Sequence, residues 1–466
     1  MRLQPARFTG PIHTARTLAL QVLLDCRNGD AFVQEVLDGH LTRSPLSPAD
    51  RRLATHLAYG VLRRRGSLDA LLHPVITREP HNVEPWLWDA LRLGAYQLAY
   101  LSHVPAHAAL NETVELAAQW GRPGAKGFLN GVLRSLLRLL TDDRTDRPAA
   151  DALPLENGVF RRLARPVLPD PATKPVEYLS AFSLPRWLAQ RWAERYPWDE
   201  CVRLGFWFAG PPPLYLRVNP LRTNRDSFLA ALRQAGIAAE PGDHPQAVRL
   251  DESASIRELP GYGEGWFTVQ DQSAMRVGSA LDPQPGWRVL DLCAAPGGKT
   301  THLAELLHNE GQIVACDIDD ERLKIVSELC ARLGIGIVQT RRLASGGRET
   351  PGEEPPTGPF DAVLVDVPCS NTGVLGRRPE VRWRLKPGDF AHLVRLQTKL
   401  LLWAGERVRP GGVVVYSTCS TEPEENGAVV RAALRGLREL ELEVEEEQVP
   451  GKPSDGGYWA RLRMRG

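Results

Sequence analysis

At 466 residues the chain is too long for one ordinary core, and about two to four domains are expected. Its 43% hydrophobic and 24% charged content are those of a soluble globular protein. A formal net charge of +1 excludes a global field toward nucleic acid, so any basic surface must be local. Seven cysteines, an odd number spread along the chain with no zinc-knuckle spacing, argue against a disulfide framework and against a metal site. A reducing cytoplasm is the expected setting. Met1 to Gly10 is polar without an apolar h-region, so no secretory signal is expected. No apolar run approaches the roughly 18 residues of a membrane span.

Residues from Thr14 to about Leu140 predict an all-helical bundle. Ala15, Leu18, Ala19, Val22 and Leu23 share one helical face. Ser47-Pro48-Ala49-Asp50 is a helix start with Ser47 as N-cap. Pro85 opens another helix, Pro105 breaks the pattern before a helix from about Ala108 to Trp120, and a last helix runs to Leu140. Arg63-Arg64-Arg65 either meets phosphate or lies at the negative end of its own helix. Thr141 to Glu177, rich in proline and charge, is expected to be a linker. Tyr178 to Leu259 predicts a small mixed α/β unit, with strands at Leu214–Val218 and Ala247–Leu250. Arg217, Asn219 and Arg222 cluster where the first of these strands exits, which suits either RNA backbone contact or a polar loop.

From about Gly261 strand and helix alternate to the end, the pattern of a doubly wound sheet. Strands are expected at Arg288–Leu292, Gln312–Cys316, Gly336–Gln339, Phe360–Val365 and Gly412–Ser417. Ligands of such sheets bind at the carboxyl ends of the strands. The chemistry-bearing residues of this half fall at those ends. Val289–Leu292 runs into Cys293-Ala294-Ala295-Pro296-Gly297-Gly298-Lys299, where glycines permit a sharp turn into a helix start that favours anions. Asp317 ends the next strand, where an acid can grip a ribose diol. The turn is neither GxGxxG nor GxxxxGK[ST], which disfavours dinucleotide and P-loop sites.

Asp366, Cys369 and Cys419 end the last two strands. A thiolate adding to the electron-poor C6 of a pyrimidine makes C5 nucleophilic toward an electrophilic methyl group. An acid beside the ring can donate to N3, and a second thiol can help remove the C5 proton. The three residues therefore fit pyrimidine C5 chemistry with a nucleoside-containing methyl donor in the Gly297–Gly298 cradle. Against this stands the ordinary fate of free cysteine, a small buried hydrophobe, which is assigned to Cys26, Cys201, Cys316 and Cys330.

The blocks Asp291–Thr300 (DLCAAPGGKT), Asp366–Gly373 (DVPCSNTG) and Ser417–Asn426 (STCSTEPEEN) resemble the signature blocks of the S-adenosylmethionine-dependent RNA cytosine-C5 methyltransferases. Gly261–Ala274, Leu216–Pro220, Val104–Glu115 and Gly127–Arg134 extend the resemblance to the bacterial Sun/Fmu type. That type joins a NusB-like helical domain to the catalytic domain and methylates small-subunit ribosomal RNA. The resemblance implies a nucleophile at Cys419, a product-releasing cysteine at Cys369 and Asp366 on the cytosine edge. It implies donor contacts from Cys293 to Lys299 and from Asp317 to the ribose, with Asp366 bordering both ligands. The chain departs from the family in two places. Val367 stands where alanine is usual, and Thr340–Ser345 lacks the usual acid near the donor adenine, so no residue is carried over there.

The expected architecture is thus multidomain, α and α/β: a NusB-like bundle over 1–140, a linker over 141–177, a small α/β RNA-binding domain over 178–259 and a Rossmann-like methyltransferase domain over 260–466. The expected partner is small-subunit ribosomal RNA, with no membrane and no metal; nothing in the chain sets an oligomeric state. Arg377, Arg378, Arg382, Arg384 and Lys386 are candidate RNA-backbone contacts with Trp383 as a stacking face, or else an exposed basic turn with one core Trp. An amino-methyltransferase is disfavoured, because its usual Asn/Asp-Pro-Pro-aromatic turn is absent. A different class, an RNA-binding ribosome-assembly factor with an idle methyltransferase domain, is motivated by the missing acid near Leu343.

Overall fold

The first elements are helices whose starts are chemically marked. Thr14 caps α1 (Ala15–Asn28) by accepting from the Thr17 amide, and Ser47 caps α3 (Pro48–Leu72) by accepting from Asp50. Between them lies α2 (Val33–Thr42), which periodicity does not reveal because only Val33 and Leu37 are buried on it. Helices α4 (Pro85–Tyr100), α5 (Ala106–Gln119) and α6 (Lys126–Leu139) complete the expected bundle. The structure, a computed structural model, describes residues 14–251, 255–343 and 356–466. The readings made on Met1–Gly10 and on Ala344 and Ser345 fall outside the described residues.

The chain divides into two units, Met1–Pro211 with Leu375–Arg384, and Pro212–Val374 with Leu385–Gly466. Within the first, the stretch expected to be a linker is ordered. It forms β1 (Leu140–Thr145), β2 (Ala152–Pro154) and β3 (Phe160–Leu163), an antiparallel sheet in the order β1-β3-β2. Leu153 and Leu163 join the helical core, so this polar-looking segment is held by a few apolar anchors rather than by a periodic face. Helices α7 (Pro175–Tyr178), α8 (Arg186–Arg195) and α9 (Trp198–Ala209) belong to the same unit.

The second unit opens with a four-stranded antiparallel sheet, β5-β6-β4-β7, formed by β4 (Leu214–Val218), β5 (Ala239–Pro241), β6 (Ala247–Leu250) and β7 (Phe267–Val269), with α10 (Arg225–Gln234) between β4 and β5. Next come α11 (Gln272–Leu281), β8 (Arg288–Asp291), α12 (Gly298–Leu306), β9 (Gln312–Asp317), α13 (Asp320–Leu333), β10 (Val338–Arg342) and β11 (Phe360–Asp366). The segment Leu375–Arg384, ending in α14 (Val381–Arg384), is part of the first unit. The second unit resumes with α15 (Asp389–Gly405), β12 (Val408–Thr418), α16 (Gly427–Gly436), β13 (Leu440–Gln448) and β14 (Gly457–Met464).

Its main sheet has the order β10-β9-β8-β11-β12-β14-β13; the first five strands are parallel, and β14 runs antiparallel to both β12 and β13. The parallel strands read as continuous apolar runs because both faces are covered. Val289, Ile313, Ala362, Leu364 and Val413 enter one core, while Leu290, Val314, Val363, Val365 and Val414 enter the other. The antiparallel pair was not anticipated, since β13 reads Leu-Glu-Leu-Glu-Val-Glu-Glu-Glu-Gln and is exposed along most of its length.

Candidate active site

Four adjacent parallel strands, β9, β8, β11 and β12, end side by side, and every residue singled out for chemistry sits at those ends. Cys293 to Gly297 form the turn from β8 into α12, with Gly298 and Lys299 in its first turn; Asp317 closes β9, Asp366 closes β11 and Cys419 follows β12. Gly297 has φ +100°, a conformation natural to glycine, and a Cβ there would lie 3.2 Å from the Val326 backbone. The turn is tied down from several sides. Asp317 Oδ2 accepts from the Ala295 amide at 3.2 Å, and Arg322 donates to the Ala295 carbonyl at 3.0 Å. Arg217 donates to the Gly298 carbonyl at 2.6 Å.

Arg217, read from sequence as a possible RNA contact, has no exposed surface and forms a bidentate pair with Glu305 on α12, at 2.7 and 2.9 Å. Asn219 is equally buried and donates to the carbonyls of Gly265 and Leu333. Both are structural: Arg217 is buried against α12 and Asn219 against the end of α13, which leaves them no solvent to face. Of that cluster only Arg222 is exposed.

The reacting groups lie close together. Cys369 Sγ is 3.3 Å from Cys419 Sγ. The Cys419 thiol donates to Asn371 Oδ1 at 3.2 Å, and Asn371, at φ +59°, donates back to the Cys369 carbonyl at 2.8 Å. Asp366 accepts from Lys299 Nζ and from Ser417 Oγ, each at 2.7 Å. Burial alone would lower the Lys299 ammonium, but Asp366 outweighs it and holds Lys299 above its ordinary range. Beneath the turn, burial pushes the Asp291 carboxyl up to about 7; its Oδ2 accepts from Thr300 at 2.7 Å, while its Oδ1 has no partner. Burial, followed by the charges of Asp291, Asp366 and Asp317, drives the Cys293 thiol well above its ordinary range. Val367, the bulkier residue beside Asp366, is buried in the sheet core.

Behind the two sulfurs is a network that sequence reading passed over. Glu425 is fully buried. Its Oε1 accepts from the Ser370 amide and from Gln397 Nε2, both at 2.9 Å. Its Oε2 accepts from the hydroxyls of Ser370 and Ser420. The only signal was a serine directly after each cysteine; that Glu422 and Glu425 turn inward while Glu424 stays exposed has no periodic signature in a loop.

Several of the candidate RNA contacts of the first unit are spent on structure. Arg382, 1% exposed, donates to the carbonyls of Arg63, Phe182, Ser183, Phe208 and Leu375. Arg384 donates to those of Cys26, Asp30 and Ala31, and Arg378 stacks 4.1 Å from the Phe32 ring centre. Trp383 donates to the Leu62 carbonyl and is covered by Arg65 at 5.0 Å, so it is no free stacking face. Arg63 donates to the Gly376 carbonyl and Arg64 to those of Pro154 and Leu155. Local sequence shows the charge of these arginines but not the carbonyls that consume it. Lys386, in the second unit, is exposed.

A family profile described as "16S rRNA methyltransferase RsmB/F" matches residues 278–456. Profiles of the NusB family and of an RsmF/B-like ferredoxin-like domain match residues 13–138 and 184–257. A probable ribosomal RNA small subunit methyltransferase B from Synechocystis is 37% identical over 424 residues, covering 91% of this chain and 89% of the relative. A protein of the same description from Bacillus subtilis is 34% identical, covering 94% and 92%. The crystal structure of a methyltransferase homolog protein from Pyrococcus horikoshii superimposes with a TM-score of 0.55 at 28% identity, over 64% of this chain and 100% of that one.

Proposed function

Because the chain belongs to the RsmB/F family of 16S ribosomal RNA methyltransferases, and is therefore a small-subunit ribosomal RNA methyltransferase, we propose that it methylates C5 of cytosine through a covalent bond between Cys419 and C6. The observation that carries this reading is the 3.3 Å sulfur pair beside the Lys299–Asp366 ion pair. An amino-methyltransferase has no use for two thiols at a strand end, and the assembly-factor alternative leaves them without a role.

S-adenosylmethionine fits the adjoining turn. Asp317 and Asp366 outnumber the one ammonium of Lys299, and Asp291 Oδ1 is buried without a partner, an arrangement that favours a cationic ligand. Cys293 to Lys299 would hold its amino-acid part against the start of α12, and Asp317 its ribose. Bound there, the sulfonium supplies an electrophilic methyl group.

The protein's own groups do the rest. Lys299 stands beside Cys419 and favours its thiolate, which forms by loss of the thiol proton to solvent and adds to C6. The Lys299–Asp366 pair faces the base edge and supplies the proton that offsets charge developing at N3. Once C5 carries the methyl group, the Cys369 thiol protonates the departing Cys419 sulfur. N3 returns its proton to the Lys299–Asp366 pair, the Cys369 thiolate so formed takes the C5 proton, and the ring double bond returns. Both cysteines end as thiols, and the base leaves 5-methylated. The target must be unstacked to expose one face, which single-stranded or loop RNA allows most cheaply. Seven free cysteines suit the reducing cytoplasm in which such RNA is found; among the described residues no helix is long and apolar enough to cross a membrane.

The test uses small-subunit ribosomal RNA, S-adenosylmethionine and denaturing gels. Cys369→Ala is expected to accumulate protein covalently attached to RNA, and Cys419→Ala to give no adduct and no transfer. An adduct on Cys419→Ala would exchange the two roles; unimpaired transfer by that variant would remove the nucleophile.

A further inference from the structure

The two sulfurs belong to separate loops, one after β11 and one after β12; backbone bonds join these loops from the Val367 amide to the Ser417 carbonyl at 3.1 Å and from the Gly373 amide to the Cys419 carbonyl at 2.9 Å, and between those points the side chains must set the sulfur geometry. Each cysteine is followed by a serine, and both serine hydroxyls donate to one oxygen of Glu425. The other oxygen takes the Ser370 amide and Gln397 Nε2, and Gln397 also donates to the Pro368 carbonyl at 2.9 Å. The Glu425 backbone is itself fixed, its carbonyl accepting from Tyr416 OH at 2.5 Å. A fully buried carboxylate therefore receives four donors, at least one from each cysteine loop, with no cation among them.

We propose that Glu425 is a positioning residue that ties the Cys369 and Cys419 loops into a single reacting geometry. The proposal deepens the two-cysteine reading above and rests on it for its catalytic consequence, but the tie itself concerns the free protein. A carboxylate suits this place because all four incoming groups are donors. Glutamine keeps the shape, and its oxygen can serve the two N–H groups, but its NH2 obliges both serine hydroxyls to reverse and accept. Alanine leaves four buried donors without an acceptor.

The charge has a second consequence. Cys369 faces Cys419 and Glu425, with Tyr416 on β12 and Asp366 on β11 nearby; Lys299 acts on Cys419. The Cys419 hydrogen bond, burial and then the Glu425 charge all hold the Cys369 thiol well above its ordinary range. The anion thus stands behind Cys369 and the cation beside Cys419. The pair is kept unequal, one sulfur as proton carrier and the other as nucleophile.

The experiment has two readouts. In a Cys419→Ala chain without RNA or methyl donor, the pH profile of Cys369 alkylation by iodoacetamide is followed by peptide mass spectrometry. Adding Glu425→Gln is expected to move its midpoint down by about one unit, since a like charge is removed. In the chain with both cysteines, Glu425→Ala is expected to lower kcat for methyl transfer about 100-fold, the scale of misplacing reacting groups by an ångström, with KM for RNA unchanged and part of the rate restored by Glu425→Gln. An unmoved alkylation profile together with an unchanged kcat in folded variants overturns the proposal. Should the Glu425 variants not fold, Ser420→Ala decides: it removes one tether and keeps the charge, and an unaltered kcat overturns the tie. A parent chain that transfers no methyl group would defeat the functional reading instead, while the alkylation profile would still judge Glu425.

Discussion

The Arg382 region of the first unit and the Lys299 region of the second hold cations for opposite purposes. Around Arg382 a guanidinium is buried so that its N–H groups serve five backbone carbonyls, and no acidic side chain shares in those bonds. That burial lowers the pKa of the Arg382 guanidinium to about 9. Around Lys299 a single ammonium keeps one strong partner and partial access to solvent, with side-chain exposures of 19% for Lys299 and 30% for Asp366. The first arrangement spends both terminal nitrogens on backbone carbonyls and holds segments together, with only the buried Nε left without a partner. The second leaves hydrogen-bonding capacity for something that arrives later. The degree of satisfaction, more than the presence of charge, separates scaffold from site.

That contrast can be broken by substitution. The largest effect is expected from Lys299→Met: a fall in single-turnover methyl transfer of about 10²–10⁴, the range of a lost proton donor, with little change in melting temperature. A melting loss in place of the rate loss would make Lys299 part of the scaffold. Arg382→Met should do the reverse. Five carbonyls lose a charged donor, so the first unit should lose about 3 kcal/mol or more. Hydrogen exchange in α3 and α9 reads that loss locally, and full protection there would show that the arginine is dispensable. The smallest effect sharpens the scale. Lys126 and Glu115 form an ion pair with side-chain exposures of 36% and 56%. Lys126→Ala should change stability by no more than about 0.5 kcal/mol in denaturant titration.

Much of the fold was legible, for physical reasons. The bundle helices carry 3.6-residue apolar stripes and side-chain caps, as at Ser47, and the parallel strands are apolar on both faces. Features stabilised by a few distant anchors were not legible. These are α2 with two buried residues, the sheet at 140–163 and the glutamate-rich β13. The arginine clusters misled for a related reason. Guanidinium–carbonyl bonds depend on which backbone groups the fold leaves unpaired, and Arg63-Arg64-Arg65 looks alike whether it meets phosphate or carbonyls.

The amino-acid sequence alone placed the reactive side chains at strand ends, because strand, turn and helix start are local and a ligand of such a sheet has one place to bind. It named Cys369, Cys419, Asp366, Asp317 and the turn from Cys293 to Lys299 as candidates, and the structure brings them to four neighbouring strand ends. Only the tertiary structure decided how the sulfurs face each other at 3.3 Å, that Lys299 pairs with Asp366, and that Glu425 turns inward to hold both loops. Those outcomes depend on burial and on hydrogen-bond partners dozens of residues away, which local chemistry does not contain.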